Sequence, residues 1–458
     1  METKVIAVFD IGKTNKKILL FDQEFNLVYQ YEEKFSTTRD EDGFECDDIQ
    51  LIENWMVNTL SALVKEGKFD IQAINFSTYG ASLAFLDKEG KLLTPIYNYL
   101  KEVKPEIQEA LFQEYGGVDE FCRQTASPAL GMLLNSGIQA LWLKQEKKEI
   151  WEKVAHTLHF PQYLSSIFTH RFISEPTSIG CHTFMWNFDQ MQYHAYLKKE
   201  DVKLPEPVRN DELYSAIIQG KEIKTGVGIH DSSASLVPYL QKSKDEFILL
   251  STGTWCISMN PFNKEALTTN QLKNDCLCFL TPEMQQVKSS RLFMGHFHEE
   301  CVVKLNDYFA ADKNKFRSIN YSEELEKSVN QKYGKVLRFF PLGIEKFGEG
   351  LKKIDLSVFA DFEEAYTCLV MELTELCIRS INLVIPKKDT TKTIYVSGGF
   401  SRNVIFVRLL SKYFNDKKVC TSEIDNASAL GAAMVVAKNL EDFTRDKIKL
   451  ESNKKTLS

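Results

Sequence analysis

A turn close to the start of the chain carries side chains suited to binding a metal–phosphate group. Asp10 ends an apolar run, and Gly12 follows it closely. Donors and cations come next, at Lys13, Thr14, Asn15 and Lys17. Glycine lets a ligand approach the backbone, while hydroxyl, amide and main-chain N–H groups can donate to phosphate oxygens. Asp10 could hold Mg²⁺ through water, since this ion dehydrates reluctantly; the alternative is an ordinary hairpin turn with exposed lysines.

Two later turns have a similar character. Thr252, Gly253 and Thr254 place hydroxyls around a glycine and would form another small nest of donors. The other turn has paired glycines between a strand-like and a helix-like run, at Gly398, Gly399, Phe400 and Asn403. Such a geometry suits a nucleotide lying against the backbone, although most Gly–Gly pairs are only turns. Neither the P-loop spacing nor the dinucleotide-binding glycine pattern is present.

The segment around Asp231 supplies a candidate reactive group. His230, Asp231 and Ser232 follow a glycine-flanked stretch and precede a run of small residues with helical spacing. A carboxylate at a helix N-terminus is most commonly an N-cap, and Asp231 could have that role alone. The alternative is a general base that accepts a proton from a substrate hydroxyl during phosphoryl transfer. The two roles are compatible.

Repeated strand–turn–strand units must position these turns. Residues 4–22 and 246–259 both have the pattern of a β-hairpin, with apolar runs on either side of a polar, glycine-containing turn. Two hairpins so far apart in the chain predict two domains of similar plan that face each other. The charged stretch 241–246 is the candidate boundary. Apolar periodicity predicts helices over residues 49–65, 138–153 and 362–384.

Length and composition narrow the class of protein. A chain of 458 residues is long for a single core, which favours two sizeable domains. Its net charge of −7 argues against bulk binding to nucleic acid or to a membrane surface. No run approaches the roughly 18 apolar residues of a membrane span, and the first residues lack the features of a signal peptide. The scattered cysteines predict reduced, buried thiols, so we expect a cytoplasmic protein.

These motifs resemble those of the FGGY family of carbohydrate kinases, which is part of the actin, Hsp70 and hexokinase superfamily. They appear in the family's order and cover nearly the whole chain. The segments that carry the resemblance are residues 10–17, 228–231, 251–255, 397–403 and 429–433. Within the family, the chain looks most like rhamnulokinases and L-fuculose kinases. That finer likeness lies in residues 78–81, 230–234 and 250–255.

The resemblance implies a fold of two ribonuclease-H-like α/β domains, with ATP and sugar in the cleft between them. It implies a sugar-binding domain over 1–240 that carries the catalytic Asp, an ATP-binding domain over 241–445, and a charged tail over 446–458. Asp231 would be the base and Asp10 would hold Mg²⁺. The sugar would contact Gly80, Ala81, His230, Asp231 and Ser232. ATP would contact Gly12, Lys13, Thr14, Asn15, Lys17, Thr252, Gly253, Thr254, Gly398, Gly399, Phe400 and Asn403.

The implied reaction is ATP-dependent phosphorylation of a sugar hydroxyl, O1 of a ketose such as L-rhamnulose or L-fuculose. The chain departs from the family pattern in several places, among them Phe400, where a third glycine is frequent, and residues 291–295, which lack an Asn found in rhamnulokinases. Residues 95–101 lack the Asp and Arg of the common aromatic-x-Asp-x-Arg stretch, and Lys13 stands where a small residue is usual. Kinases for xylulose, ribulose or glycerol, and a non-catalytic ATP-binding switch of the Hsp70 or actin type, therefore stay as alternatives.

The same resemblance leads to expectations about the wall of the sugar pocket and about partners. A 6-deoxy sugar ends in a methyl group, which requires an apolar or aromatic wall. The candidates for that wall, each of which could equally be core, are Tyr79, Phe85, Tyr97 and Tyr99. We expect a small-molecule sugar as substrate and neither nucleic acid nor a membrane as partner, and we leave a homodimer open.

Overall fold

The computed structural model describes residues 2–334, 336–422 and 424–443. Strands β1 to β19 are, in chain order, Thr3–Ile11, Lys16–Asp22, Leu27–Glu33, Thr37–Arg39, Glu45–Asp47, Phe69–Thr78, Leu83–Leu86, His156–His159, Trp186–Asn187, Gln192–Tyr193, Leu213–Ile218, Lys221–Gly226, Ile229–His230, Phe247–Thr252, Cys256–Asn260, Cys276–Leu280, Gln286–Leu292, Thr393–Gly398 and Lys418–Thr421. Helices α1 to α16 are Ile49–Glu66, Pro105–Glu114, Val118–Gln124, Ser136–Glu146, Lys148–Trp151, Phe160–Thr169, Pro176–Ile179, Ala195–Lys199, Asp231–Lys242, Thr269–Lys273, Met294–Tyr308, Glu323–Tyr333, Phe347–Leu351, Phe362–Val384, Val404–Tyr413 and Ala427–Val436.

The chain forms two compact units, each built from segments that are not contiguous in sequence. The first unit comprises residues 2–242, 265–287 and 426–443, and the second comprises the described residues of 243–264 and 288–425. The contiguous domains expected at 1–240 and 241–445 stay a prediction. The expected tail at 446–458 lies outside the described residues.

The first unit is organised around a mixed sheet with the strand order β11-β12-β6-β1-β2-β3, and β13 also pairs with β6. β1 and β2 form the predicted N-terminal hairpin, while β1 and β6 run parallel. Val5 to Phe9 are fully buried. A continuous apolar run of this kind, without alternation, is typical of a strand covered on both faces. The sequence of β1 therefore favours a central position in the sheet.

The second unit repeats this local plan. Its sheet contains the strands β17, β15, β14, β18 and β19 in that order. β14 and β15 are antiparallel, and β14 and β18 are parallel. The predicted hairpin over 246–259 is thus confirmed, together with the mixed α/β class. Ser251 and Thr252 lie within β14, so the connecting turn is shorter than the Gly, Ser and Thr content suggested.

Local signals explain where the long helices begin. Asp48 caps α1 by accepting from the Leu51 amide, and Asp361 caps α14 by accepting from the Glu364 amide. None of the described helices is both long and apolar enough to cross a bilayer. The ten cysteines are buried thiols, as predicted.

The continuous helix predicted over 138–153 is wrong. α4 ends at Glu146, and α5 is a separate short helix over Lys148–Trp151. Lys147 lies between them with φ −129° and ψ 52°, outside the helical region. Its ammonium donates to Asp42 at 2.7 Å. A long-range ion pair and a local change of backbone direction interrupt a periodicity that continues through the sequence.

A close contact between α9 and α16 supports the start of α9. A Cβ added at Gly431 would lie 1.8 Å from the carbonyl oxygen of Ala234. Asn75 on β6 donates through Nδ2 to the Ala432 carbonyl at 2.8 Å and accepts through Oδ1 from the Gly228 amide at 3.1 Å. These contacts join the central strand, the closing helix and the chain just before Asp231.

Gly431→Ala is expected to lower the midpoint of thermal unfolding, because a methyl group cannot enter without separating α16 from α9. Overpacking of this kind typically costs about 1–3 kcal/mol. Gly348→Ala is the matched control, since its added Cβ meets no heavy atom within 4 Å. Equal midpoints for the two variants, measured by circular dichroism, would contradict the close helix contact.

Candidate active site

β6 brings the chemical segments of the first unit together. Asp10 on β1 pairs with Lys17 on β2, and on its other side with Ser77 on β6. Thr78, at the end of β6, pairs in parallel with His230 on β13. The carboxyl ends of parallel strands meet at one edge of a sheet, which is where ligands of α/β proteins commonly bind. The sheet therefore places the two predicted first-unit motifs side by side.

Asp10 is a partly buried carboxyl group under competing influences. Removal from water and the nearby charge of Asp231 together raise its pKa to about 6, although the charge of Lys17 acts in the opposite direction. The Lys17 ammonium lies 3.3 Å from Asn426 Oδ1 and 3.9 Å from a Glu32 carboxylate oxygen. Three carboxylates, those of Asp10, Asp231 and Glu32, and one lysine leave this edge of the sheet with a local excess of negative charge.

Asp231 is the first residue of α9, and its side chain keeps 37% of its surface exposed. Its Oδ1 accepts from the Ser232 amide at 2.5 Å and from the Ser232 hydroxyl at 3.2 Å. A conventional N-cap would accept from an amide two or three residues further on, so Asp231 is not a simple cap. Withdrawal from water raises its pKa to about 6 despite the bonds from Ser232. The carboxylate is accessible and held at a fixed position.

His230 is buried beside Asp231. Its Nε2 lies 3.2 Å from Asp231 Oδ1 and 3.1 Å from Cys181 Sγ, and its Nδ1 lies 3.2 Å from Ser233 Oγ. The edge of the ring meets Phe279. Burial lowers the pKa of His230 to about 3, so the imidazole is neutral at physiological pH. Sequence reasoning missed Cys181, because nothing in the sequence links it to residue 230.

Gly80 and Ala81 form a tight loop against this histidine. A Cβ at Gly80 would lie 2.8 Å from Cys181 Sγ and 3.1 Å from the His230 ring. Ala81 has φ +65°, a conformation that costs a non-glycine residue about 1–2 kcal/mol. The buried Gln139 donates to the Ala81 carbonyl and holds the loop. Strain of this kind is found preferentially at functional sites.

The β1–β2 turn is held by a buried carboxylate that the sequence did not point to. Asp47 accepts from Lys13 at 2.9 Å, from Lys16 at 2.8 Å and from the Tyr79 hydroxyl at 2.7 Å. Burial alone would raise the pKa of Asp47, but the bond from Lys16 and the charge of Lys13 hold it below the ordinary value. Gly12 closes the turn by donating to the Asn15 carbonyl at 3.0 Å.

The remaining residues of this turn differ in their surroundings. Thr14 is exposed, and Asn15 Oδ1 is a buried oxygen with no hydrogen-bond partner. Lys16 is buried on Asp47, whereas Lys17 lies next to Asp10. Of the three lysines, Lys17 has the position best suited to face a phosphate beside the carboxylates.

Three of the four residues of the proposed aromatic wall are buried, and only Tyr99 keeps partial exposure. Phe85 and Tyr97 are fully buried, with Phe85 packed on Trp151 and Tyr97 on Trp142, so both belong to the core. The rings of Tyr79 and Tyr99 lie 5.9 Å apart, edge to face. The Lys13 ammonium lies 5.4 Å and 5.7 Å from the centres of these two rings, a favourable cation–π arrangement.

In the second unit, the two predicted turns lie on neighbouring strands. Thr252 on β14 pairs with Gly398 on β18. The Thr252 hydroxyl donates to the Ser397 carbonyl and accepts from the Phe400 amide at 3.0 Å, so it fastens the two strands together. Gly253, Thr254, Gly398 and Gly399 are all exposed. An exposed, glycine-lined backbone of this kind can be approached closely by a ligand.

Phe400 and Asn403 mainly hold the third turn in place. Phe400 is buried, with its ring 5.1 Å from that of His298. Asn403 caps α15 by accepting from the Phe406 amide at 3.1 Å, and donates to the Tyr366 hydroxyl at 2.9 Å. Their expected contacts with ATP stay a prediction.

Comparison with known proteins agrees with this architecture. Residues 5–231 match the N-terminal domain of the FGGY family of carbohydrate kinases. Rhamnulokinase from Mannheimia succiniciproducens is 24% identical over 118 residues, which span 24% of each chain. A carbohydrate kinase from Novosphingobium aromaticivorans has a similar structure, with TM-score 0.75, 21% identity, and coverage of 94% of this chain and 91% of that one. A ligand-bound xylulose kinase from Lactobacillus acidophilus gives TM-score 0.76 and 16% identity, with coverage of 97% and 91%.

The fold is thus that of the two-domain, actin- and hexokinase-like class of proteins. Within that class, the chain belongs to the FGGY family of carbohydrate kinases, as its motifs had indicated. The match to the rhamnulokinase spans about a quarter of that protein's length, 24%. It does not define the sugar.

Asp10→Asn is expected to raise the midpoint of thermal unfolding at pH 7.5. The folded-state pKa of about 6 lies above the roughly 3.9 of an unfolded chain, so ionising Asp10 costs stability as pH rises through 6. The advantage of Asn should shrink on acidification and vanish below about pH 4. Asp245→Asn, at an exposed position, is the control. A pH-independent difference between Asp10→Asn and the parent would refute this assignment.

Proposed function

We propose that this protein transfers the γ-phosphoryl group of ATP to a hydroxyl of a small sugar, with Asp231 as the general base. The observation that carries the proposal is the placement of Asp231 and Asp10 at one edge of the first-unit sheet, close enough for their charges to interact. Membership of the FGGY family supports a phosphotransferase acting on a sugar or polyol. The finer assignments below belong to the proposal.

Asp231 is suited to the base role by position and by proton affinity. Its partly exposed carboxylate can accept a hydrogen bond from an acceptor hydroxyl, while Ser232 fixes its orientation. With a pKa of about 6, it is ionised at neutral pH but takes a proton more readily than an ordinary aspartate. As the acceptor oxygen attacks phosphorus, its proton passes to Asp231, the bond to the β,γ-bridging oxygen breaks and ADP leaves.

Asp10 is the candidate residue for Mg²⁺. Among the residues that the structure describes, no group of three or more acidic, His or Cys side chains converges as a metal cage. Mg²⁺ typically uses one or two carboxylates, several waters and substrate phosphates, so a single carboxylate beside Asp231 fits this ion. A bound Mg²⁺ supplies positive charge to the transferred phosphoryl group. Asp10 would orient a water of that ion, and Lys17 would add a second positive charge next to it.

The second unit, considered by itself, offers a surface for ATP. Added Cβ atoms at Gly253 and Gly399 would meet their nearest atoms at 3.9 Å, so the fold leaves room for a side chain at both positions. Neither glycine has a positive φ. Thr254 adds an exposed hydroxyl at the tip of the hairpin. Glycines that the fold itself does not require are well explained by close approach of a ligand.

For the sugar, we propose O1 of a ketose, with L-rhamnulose and L-fuculose as first candidates. Support comes from the likeness to a rhamnulokinase and from the partly exposed ring of Tyr99, the one wall candidate that is not buried. Xylulose is the main alternative, because a xylulose kinase shares the fold. Lys101, which ends the divergent segment 95–101, donates to Asp40 at 2.7 Å and Asp42 at 2.6 Å, so it is committed to the unit's own acidic side chains.

Other acceptors, and a function without phosphoryl transfer, are the alternatives to this proposal. Ribulose and glycerol stay as acceptor alternatives, and an ATP-binding switch without transfer is the alternative of a different class. The partly exposed carboxylate of Asp231 favours transfer over a switch. A cytoplasmic location and a homodimer stay predictions from the sequence.

The proposal is tested by sugar-dependent ADP release over L-rhamnulose, L-fuculose, D-xylulose, L-xylulose, L-ribulose and glycerol. We expect a 6-deoxyketose to have the highest kcat/KM, by about 10- to 200-fold over analogues that lack the methyl contact. Asp231→Asn should lower kcat by a factor on the order of 10²–10⁴, since general-base loss has this size. ATP affinity should stay within a few-fold.

Asp245→Asn, again at an exposed position, should behave as the parent. If Asp231→Asn keeps most of the parent kcat, Asp231 is not the base. If a pentulose or glycerol exceeds both deoxyketoses by tenfold or more, the sugar assignment is wrong while the kinase assignment survives. Absence of ADP release with every acceptor would favour the switch.

Gly253→Ala is expected to raise KM for ATP at least tenfold while leaving the midpoint of thermal unfolding unchanged. The methyl group has space in the protein alone, but it would occupy the surface that a nucleotide must approach. Gly348→Ala, whose methyl group is equally unhindered, is the matched control. An unchanged KM for ATP would remove the Gly253 turn from the nucleotide site.

A further inference from the structure

We infer that His230 acts on Asp231 and not chiefly on the sugar: its neutral imidazole accepts a hydrogen bond from the protonated carboxyl group and so makes Asp231 a stronger base. This inference rests on the proposed function, in which Asp231 takes the proton of the acceptor hydroxyl. His230 would then be a positioning residue for the base. The resemblance to the family implied only a sugar contact for it.

The hydrogen bonds of Ser233 determine which nitrogen of His230 carries the proton. Ser233 Oγ donates its single proton to the Leu280 carbonyl at 2.8 Å. At its 3.2 Å contact with His230 Nδ1, this oxygen can therefore only accept. Nδ1 must then carry the hydrogen. A neutral imidazole has one N–H, so Nε2 presents a lone pair.

Nε2 has two neighbours: Cys181, which is its hydrogen-bond partner, and the Asp231 carboxylate, which lies within contact distance. Nε2 lies 3.2 Å from Asp231 Oδ1 and 3.1 Å from Cys181 Sγ. An ionised carboxylate has no proton to share with a bare nitrogen, whereas a protonated carboxyl can donate to it. The contact therefore favours the protonated state of Asp231. The ring cannot easily move away, because His230 is only 6% exposed and a Cβ at Gly80 would already lie 3.1 Å from it.

Other groups set limits on this effect. Ser232 donates to Asp231 and favours its ionised state, while the S–H of Cys181 competes for the Nε2 lone pair. The titratable groups on neighbouring elements are Asp10 on β1, Lys17 on β2, His159 on β8 and Glu175 before α7. Asp10 favours a protonated Asp231 through charge repulsion. Glu175 lies behind the Thr177 hydroxyl that accepts from the His230 amide.

The proton has a complete path in this arrangement. The O–H bond of the acceptor breaks, its electron pair forms the new O–P bond, and its proton moves to Asp231. The bond between phosphorus and the bridging oxygen breaks, and ADP keeps that electron pair. The proton stays on the Asp231 carboxyl group, which can donate it in a hydrogen bond to Nε2, until the product leaves. Because 37% of the Asp231 side chain is exposed, the proton can afterwards pass to solvent.

The experiment compares His230→Asn with His230→Gln. Asn keeps an amide near the Nδ1 position but has no group at Nε2, whereas Gln can place its amide oxygen there. In His230→Asn, the acid limb of the kcat–pH profile should shift to lower pH by about 0.5–1 pH unit, which is equivalent to the free energy of one ordinary hydrogen bond. His230→Gln should restore most of the parent value. Cys181→Ala removes the competing donor and should leave the limb in place or move it upward.

A second measurement does not require turnover. The midpoint of thermal unfolding is measured from pH 4 to 8 with and without Asp231→Asn. The difference between the two midpoints reports the titration of Asp231. The comparison is made in the parent protein, in His230→Asn and in His230→Gln. The same downward shift is expected in His230→Asn. If the acid limb of the kcat–pH profile does not shift and KM for sugar rises, His230 is a sugar contact. If the acid limb does not shift and kcat falls equally at every pH, the role of His230 is structural. Either result overturns the inference. If no acceptor is phosphorylated, the proposed function fails, while the thermal titration still decides whether His230 acts on Asp231.

Discussion

The repulsion between two carboxylates, Asp10 and Asp231, is an electrostatic cost that the first unit must offset. Both groups are only partly exposed, and the charge of Asp231 adds to the effect of burial in raising the pKa of Asp10. Left to themselves, such groups would move apart or toward solvent. They stay together because their backbones belong to β1 and to the start of α9, and β6 joins these elements through parallel pairing with β1 and β13. A positive ion near them would relieve the cost, and this is the thermodynamic argument for the proposed Mg²⁺ at Asp10.

Several buried contacts maintain this unfavourable arrangement. The side chain of Asn75 uses both its donor and its acceptor, and thereby fixes α16 and the chain before Asp231 to the central strand. Gly431 lets α16 approach the backbone of α9. Gln139 holds Ala81 in its strained conformation. None of these groups is placed to do chemistry, but together they provide the rigidity that a poised carboxylate needs.

The sequence was most informative where the signal was local. Both hairpins and α14 were predicted because apolar runs, turn residues and helical periodicity lie within a few residues of one another. The break at Lys147, the pairing of Cys181 with His230 and the attachment of Lys13 to Asp47 could not be predicted, since each depends on residues distant in sequence. Family likeness identified the motifs, but it could not show that the Thr252 hydroxyl is already used within the fold.

The shared carboxylate beneath the first turn also constrains the order in which the residues around it can be substituted during evolution. Asp47 is the common counter-charge of Lys13 and Lys16. Losing Lys13 first leaves a balanced pair of one acid and one base, so that substitution leaves no buried charge without a counter-charge. Losing Asp47 first leaves Lys16 buried without its counter-ion, a change that typically costs about 3–5 kcal/mol. As far as this charge balance is concerned, the outer lysine can thus be exchanged alone, while the buried acid and its inner lysine must change together or not at all.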